Sequence, residues 1–590
     1  MSLRLTRPAV FLLGMLLPLA LLAADRDEVI IERSVSAKMR DGAALRADVY
    51  RPKAEGRYPV ILQRTPYDKH GVEDSALRMA ASGYVVIIQD VRGRYASDGE
   101  WHPFVRETQD GYDTVEWAAS LPYSNGKVGM FGGSYVGATQ MHAAIAAPPH
   151  LAGTMSDVTT SDYHKGWIYQ GGALMQWIDQ SWTSILAQDT LNRRVRQNAK
   201  VILYWYWKLP LASYPVLRAN DADLAPYYQE WLAHPNYDEY WKGLSFEEQY
   251  DRILVPGYHF GGWYDVFLDG TLSNYMGIKA RGGSTLARTK QRLIIGPWYH
   301  GPYDGRTGEV DFGPSSRSAN GDAFDLDGLI LAWYDLILKG QSNSLEREKP
   351  VKIFVMGENV WREEDDWPLA RAQATRYYLH SGGKANSLLG DGTLSTAVAE
   401  TELHDRFVYD PADPVPTRGG GLCCENELLL PGAFDQRPVE GRADVLIYTT
   451  PEFRRPFEVT GPVSLELYAS SSAVDTDFTA KIVDVWPNGF AQNLTDSILR
   501  VRYRNSMTKP EFMNPEEIYK LTIDLVATSN LFKPGHKLRL EVSSSNFPRF
   551  DRNPNTGESS ATSSRVVKAT NTIYHDRAHP SALVLPVVPR

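Results

Sequence analysis

A serine set among small residues stands at Phe131-Gly132-Gly133-Ser134-Tyr135-Val136-Gly137. The run before it, Lys127-Val128-Gly129-Met130-Phe131, reads as a buried strand. The stretch after it, Tyr135 to Ala147, reads as a helix stopped by Pro148-Pro149. A serine on a tight strand-to-helix turn has its hydroxyl lifted above the sheet, and the helix N-terminus behind it favours negative charge. That is the setting of a nucleophile; the plainer reading is a glycine-rich turn before a helix. Glycine usually stands two places after such a serine. Here Val136 does, and the glycine comes one place later at Gly137.

A serine nucleophile needs a base, and the base needs an acid to orient it. In α/β-hydrolases the chain order is serine, acid, histidine. Two later loops offer the partners: Tyr258-His259-Phe260-Gly261-Gly262-Trp263-Tyr264-Asp265, after a strand expected at Ile253-Leu254-Val255, and Gly296-Pro297-Trp298-Tyr299-His300-Gly301, after a strand at Arg292 to Ile295. Both stand at strand C-terminal ends, where open parallel sheets place their sites. Asp265 and His300 are the economical choice, with His259, Asp269 and Asp251 as competitors. Other residue sets point to solvation and packing. Asp322, Asp325 and Asp327 lack the spacing of a twelve-residue calcium loop and read as a solvated helix start. The histidines form no H-E-x-x-H zinc pattern, so neither metal nor cofactor is expected.

The elements that must carry these residues follow from periodicity. Tyr58 to Leu62, Tyr84 to Ile88 and Lys127 to Phe131 read as strands buried on both faces, with helical spacing over Asp110 to Ser120 between them. This is the β-α-β alternation of a mostly parallel sheet. Residues 157–251 change character: they hold seven of the 15 tryptophans and no run of β-branched residues, the texture of a helical cap whose aromatics form a core or wall a pocket. From Arg252 to about Pro368 the strand-helix pattern returns, so the cap is expected as an insertion between core segments 25–156 and 252–369. Residues 370–590 turn all-β. Val463 to Leu467, Tyr519 to Leu525 and Lys537 to Val542 alternate at period two, as in a β-sandwich.

The 590 residues carry a formal charge of -9, which argues against a nucleic-acid grip. Arg4 and Arg7, an apolar run from Ala9 to Ala24, and small residues before Asp25 follow the plan of a secretory leader over residues 1–24. A periplasmic or secreted protein with no stable membrane insertion after leader removal is expected. The two cysteines, Cys423 and Cys424, are adjacent and are read as free buried thiols, because a vicinal ring strains disulfide geometry.

Taken together, the motifs resemble the cocaine esterase and X-Pro dipeptidyl-peptidase family of α/β-hydrolases. That family writes its nucleophile turn G-x-S-Y-x-G, which Gly132 to Gly137 matches. Arg64-Thr65-Pro66-Tyr67-Asp68-Lys69, Gln89-Asp90-Val91-Arg92-Gly93-Arg94 and Asp110-Gly111-Tyr112-Asp113-Thr114 resemble further motifs of it, as do the two loops ending at Asp265 and His300. Asp475-Thr476-Asp477-Phe478 and Ser543-Ser544-Ser545-Asn546-Phe547-Pro548 resemble its C-terminal jelly roll. The resemblance implies an α/β-hydrolase core, an inserted helical cap and a β-sandwich tail. It implies a serine hydrolase acting on a small-molecule acyl ester or amide, with Ser134 as nucleophile, His300 as base and Asp265 as its orienting acid. The hydroxyl of Tyr67 and the amide of Tyr135 would be the oxyanion donors, and Trp167 would line the acyl pocket. X-Pro dipeptidyl-peptidase activity is the alternative within the family, and an inactive polymer- or glycan-binding protein the alternative outside it. Apolar Phe267 and Leu268, two and three places after Asp265, stand where amino-ester-cleaving members carry carboxylates, and favour neutral acyl groups.

Overall fold

The structure, a computed structural model, describes residues 28–198, 224–317, 323–423 and 429–590. The expected leader, Trp205, Trp207, Asp322 and Cys424 lie outside them.

Ten strands form the main sheet. They are β1 (Val29–Lys38), β2 (Ala44–Pro52), β3 (Tyr58–Thr65), β4 (Val85–Asp90), β5 (Ser124–Gly133), β6 (Leu151–Asp157), β7 (Gly257–Gly262), β8 (Gln291–Gly296), β9 (Val351–Val355) and β10 (Val360–Glu364). Their spatial order is β1-β2-β4-β3-β5-β6-β7-β8-β9-β10. Pairing is parallel from β4 through β9 and antiparallel at the edges. Helices α1 (Glu73–Ala80), α2 (Glu107–Ser120) and α3 (Tyr135–Ala146) cross over between consecutive early strands. Strand alternation divides the core in two. Val60, Leu62, Val85 and Ile87 face α2 and α3. Ile61, Val86 and Ile88 face the other way, onto α1 and a later helix carrying Ile330, Trp333 and Tyr334. Strands apolar on both faces are what a covered parallel sheet requires.

The cap leaves the sheet after β6 and returns before β7, yet these two strands pair directly, from Thr154 opposite Gly257 to Asp157 opposite Phe260. Its long helix α4 (Gln176–Asn198) and the shorter α5 (Pro226–Ala233) bring Trp182 onto Trp231, ring centroids 6.2 Å apart. The strand expected at Ile253 to Val255 lies instead at Gly257–Gly262. Leu254 is 45% exposed, whereas all six residues of β7 are buried. The three-residue apolar run follows a 3₁₀ turn and ends at Pro256, and proline cannot donate to a central ladder. Helix α6 (Leu268–Arg281) follows β7, and α7 (Leu326–Ile337) starts on Asp325, whose carboxylate caps Gly328 N–H and pairs with Arg78.

The C-terminal part is a β-rich sandwich with long antiparallel strands, among them β11 (Phe457–Ser471), β12 (Asp477–Val485), β13 (Ala491–Arg500), β14 (Tyr519–Phe532) and β15 (Lys537–Ser543). β12 and β13 are buried at every position. One face fills the sandwich, through Phe478, Ile482 and Leu494, and the polar face is covered by the rest of the chain. Arg500 forms the joint: its backbone N–H donates to Gly171 O in the cap at 2.8 Å, and its guanidinium spans Asp477 and Asp551, each at 2.9 Å. Asp551 in turn accepts from Leu174 N–H of the cap at 2.8 Å. Removing one partner of a buried pair leaves an uncompensated charge, at a cost of about 3–5 kcal/mol. Asp477→Ala should therefore lower the thermal unfolding midpoint by several degrees. An unchanged midpoint would mean that Asp551 alone satisfies Arg500.

Candidate active site

Ser134 sits between β5 and α3 with φ 59° and ψ -127°. Its N–H donates to Asp157 O on the neighbouring strand at 3.0 Å, and its carbonyl accepts from Thr159 Oγ1 at 2.8 Å. The displaced glycine of the motif has a packing reason. A Cβ on Gly137 would lie 2.8 Å from Thr159 Cβ, while one on Gly132 would lie 2.5 Å from Val136 Cγ1. Helix α3 thus needs glycine where it presses on the end of β6, and Gly132 leaves the space that Val136 fills.

The turn opens into a cavity of about 400 Å³ lined by Ser134, Tyr67, Trp167, Trp182, Asp157, Tyr303 and His300, among others. His300 follows β8, and its Nδ1 is 2.7 Å from Asp265 Oδ2. Asp265 follows β7; its side chain is wholly buried, and its second oxygen accepts Phe267 N–H at 2.7 Å. With Nδ1 engaged by the carboxylate, Nε2 is the ring nitrogen left for another partner. The competitors lie elsewhere. His259 is buried inside β7 against Gln291, 2.9 Å away, and burial pushes its imidazole down to about 4. Asp269 faces Lys165, at 3.6 Å.

Tyr67 follows β3. Its hydroxyl accepts from Trp182 Nε1 at 2.9 Å, and Tyr67 lines the cavity together with Ser134. Tyr67 is 37% exposed, and desolvation by its surroundings raises its phenol above the ordinary value of about 10, so it stays protonated. Tyr135 turns its ring away from the cavity, bonding Glu107 Oε1 at 2.8 Å. Its backbone N–H is the first of α3, where helices leave their donors without intrahelical partners. Trp167 belongs to both the core and the cavity: it is 1% exposed, stands 4.5 Å from Phe267 and 5.5 Å from Trp182 between ring centroids, and lines the wall.

Ser134, His300, Tyr67 and Trp167 thus meet on one cavity, with Asp265 directly behind His300. Two lining residues were not singled out in the sequence, although Trp182 is one of the cap tryptophans read as core or pocket wall. Trp182 reaches Tyr67 across 115 positions. Asp157 ends β6 beside the nucleophile turn; its Oδ1 has no hydrogen-bond partner, and burial raises its carboxyl to about 7 despite the attraction of His300. The expectation of free thiols is corrected, because Cys423, also on the cavity wall, is disulfide-bonded. Adjacency, which argues against a bridge on geometric grounds, did not prevent Cys423 from entering one. Among the described residues, no cluster of three or more histidine, cysteine or acidic side chains is arranged for a metal, and no helix is long and apolar enough to cross a membrane.

The sheet order, the serine turn at the end of β5 and the later acid and histidine loops define an α/β-hydrolase. Residues 41–302 match the family model described as X-Pro dipeptidyl-peptidase (S15 family). Residues 343–584 match that of the X-Pro dipeptidyl-peptidase C-terminal non-catalytic domain. Over 583 residues the chain is 38% identical to cocaine esterase of Rhodococcus sp. (strain MB1 Bresler), with 95% of this chain and 99% of that one covered. A solved α-amino acid ester hydrolase superposes with a TM-score of 0.76 at 25% identity, covering 97% of this chain and 99% of that chain. An aminopeptidase from a marine sediment archaeon (Thaumarchaeota archaeon) shares the fold, with a TM-score of 0.79 at 24% identity over 96% and 97% of the two chains. The chain belongs to the cocaine esterase and X-Pro dipeptidyl-peptidase (S15) family, and it is an ester hydrolase.

The Asp157 carboxyl, raised when folded, binds its proton more tightly in the native than in the unfolded chain. The stability this contributes is fully present below the unfolded value of about 3.9 and is lost as pH rises through about 7. Asp157→Asn, neutral at every pH, should therefore raise the unfolding midpoint more at pH 8 than at pH 5. Thermal melts at the two pH values check this, and an equal shift at both would contradict it.

Proposed function

We propose that Ser134, His300 and Asp265 form a catalytic triad that cleaves neutral acyl esters through an acyl-enzyme. The observation that carries this reading is the His300–Asp265 bond of 2.7 Å on a cavity that also holds the strained Ser134 turn. Ser134 Oγ attacks the acyl carbon as its proton passes to His300 Nε2. Asp265 holds the imidazole and stabilises the cation that forms. The oxyanion is met by the Tyr67 hydroxyl and the Tyr135 N–H. His300 returns the proton to the departing alcohol. A water then attacks the acyl-enzyme, giving its proton to His300, and the acid leaves as Ser134 regains its hydroxyl proton.

The preference for neutral acyl groups rests on the walls. Phe267 does not line the cavity itself but backs its wall, edge-on to His300 with ring centroids 5.3 Å apart and against Trp167. Asp157, the one carboxylate among the described lining residues, holds its proton up to about pH 7. Below that pH the described lining residues offer no fixed negative charge to a desolvated ammonium. Phenylacetyl methyl ester should be cleaved at least ~10-fold more efficiently than phenylglycyl methyl ester at pH 6, a difference of about 1.4 kcal/mol in transition-state binding. The X-Pro dipeptidyl-peptidase reading also fits the family, and X-Pro anilides in the same panel separate it: faster cleavage of the anilides than of the neutral esters would favour it. Arg4, Arg7 and the apolar run to Ala24 support export of the enzyme, and N-terminal sequencing of the purified protein tests the leader's removal.

Two substitutions test the chemistry. Ser134→Ala should lower kcat by at least ~10⁴-fold with an unchanged melting temperature; retained turnover would remove the serine from the mechanism. Tyr67→Phe removes one oxyanion donor and should lower kcat about 100-fold with KM little changed.

A further inference from the structure

Arg94, in the loop after β4, makes none of the contacts expected of a surface arginine. It is 1% exposed. Its Nε donates to Pro66 O, the carbonyl immediately before Tyr67, at 2.9 Å. Its Nη1 donates to Leu186 O on cap helix α4, also at 2.9 Å. The guanidinium lies over Trp101, 4.7 Å from the ring centroid, and its Nε stands 3.7 Å from Asp189 Oδ2, on the same helix as Leu186. One planar fork therefore joins the oxyanion loop to the helix that also carries Trp182. That indole holds the Tyr67 hydroxyl from the other end. Tyr67 is thus fixed at its backbone side by Arg94, itself tied to Leu186 of α4, and at its oxygen by Trp182 of the same helix.

We infer that Arg94 is a positioning residue for the oxyanion hole: it locks the Pro66–Tyr67 backbone to the cap so that the phenolic proton meets the charge developing on the substrate oxygen. Its charge acts in the same direction, because the guanidinium favours negative charge at the Tyr67 oxygen. Lysine cannot replace it, since a single ammonium at the end of a flexible stem does not reproduce two divergent N–H bonds held in one plane. The inference rests on the oxyanion role proposed for Tyr67.

A double-mutant cycle tests it with 4-nitrophenyl butyrate as the probe, in the full chain. Arg94→Lys should lower kcat about 10-fold or more while KM stays within about threefold. In the Tyr67→Phe background the same change should lower kcat less than about twofold, because the donor it positions is gone. An unchanged kcat in Arg94→Lys, or the same fold loss in both backgrounds, overturns the inference in favour of a packing role independent of Tyr67. Should the lysine variant fail to fold by circular dichroism, Arg94→Gln goes through the same cycle with the same two outcomes. Wild-type kcat in Tyr67→Phe alone would remove the oxyanion role itself, and that single variant is measured first so that the two failures are told apart.

Discussion

One backbone conformation carries the site: the turn at Ser134, a non-glycine residue at φ 59° and ψ -127°. Such a conformation costs on the order of 1–3 kcal/mol and persists only where the surroundings determine it from several sides. Here the constraint comes mainly from β6, not from the strand that bears the serine. Asp157 O accepts the Ser134 N–H, and Thr159 Oγ1 donates to its carbonyl. Gln140 on α3 ties Gly132 O to Met155 N–H of β6 through its two amide ends. The parallel pairing of β5 with β6 is therefore a condition for the geometry of the Ser134 turn, and the fully buried strands on either side hold that pairing in place.

The remaining parts of the chain brace the site from different directions. The cap supplies Trp182 to the Tyr67 hydroxyl. The sandwich braces the acid loop: Tyr264, next to Asp265, donates its hydroxyl to Asn493 O at 2.9 Å and accepts from Gln492 Nε2 at 3.0 Å, both on β13. The burial of every residue of β13 has its explanation here, since one face fills the sandwich and the polar face meets the hydrolase core and cap. Cap and sandwich are themselves joined through Arg500, Asp551 and Leu174. A disturbance of that joint has a short covalent path to both Trp182, which holds Tyr67, and β13, which holds Tyr264 beside Asp265.

Local chemistry was legible in the sequence where it is local in the chain. The strand, serine, helix and terminating prolines around Ser134 form one continuous signal, and the parallel core strands declare themselves by being apolar on both faces. Asp265 and His300 are legible as residues at strand ends, although His259 competes until the structure places it within β7, bonded to Gln291. The misplacement of that strand at Ile253 has the same origin: glycine and histidine in Gly257–Gly262 read as loop residues, but close packing makes small residues useful there. Tyr67 comes from family resemblance alone. Contacts between distant positions leave no trace in periodicity, so Trp182 against Tyr67 and Asp157 beside Ser134 were out of reach. The bridge at Cys423 was misread because local geometry was the only criterion the sequence offered.

Two carboxylates stand near one imidazole, and hydrogen bonding separates their roles. Asp265 is engaged on both oxygens, by His300 and by the Phe267 amide, so its charge is matched where it lies. Asp157 has the same side chain on the adjacent strand, but its Oδ1 finds no donor, and burial raises it to about 7. An unmatched carboxylate in a dry wall takes up a proton in place of bearing charge. The imidazole therefore sees one fixed partner below that pH, and the bond direction it needs is set without competition. The chain order of serine, acid and histidine alone does not choose between acids on neighbouring strands. In the proposed triad the acid is the carboxylate whose two oxygens are engaged, by His300 and by the Phe267 N–H, in the loop after β7.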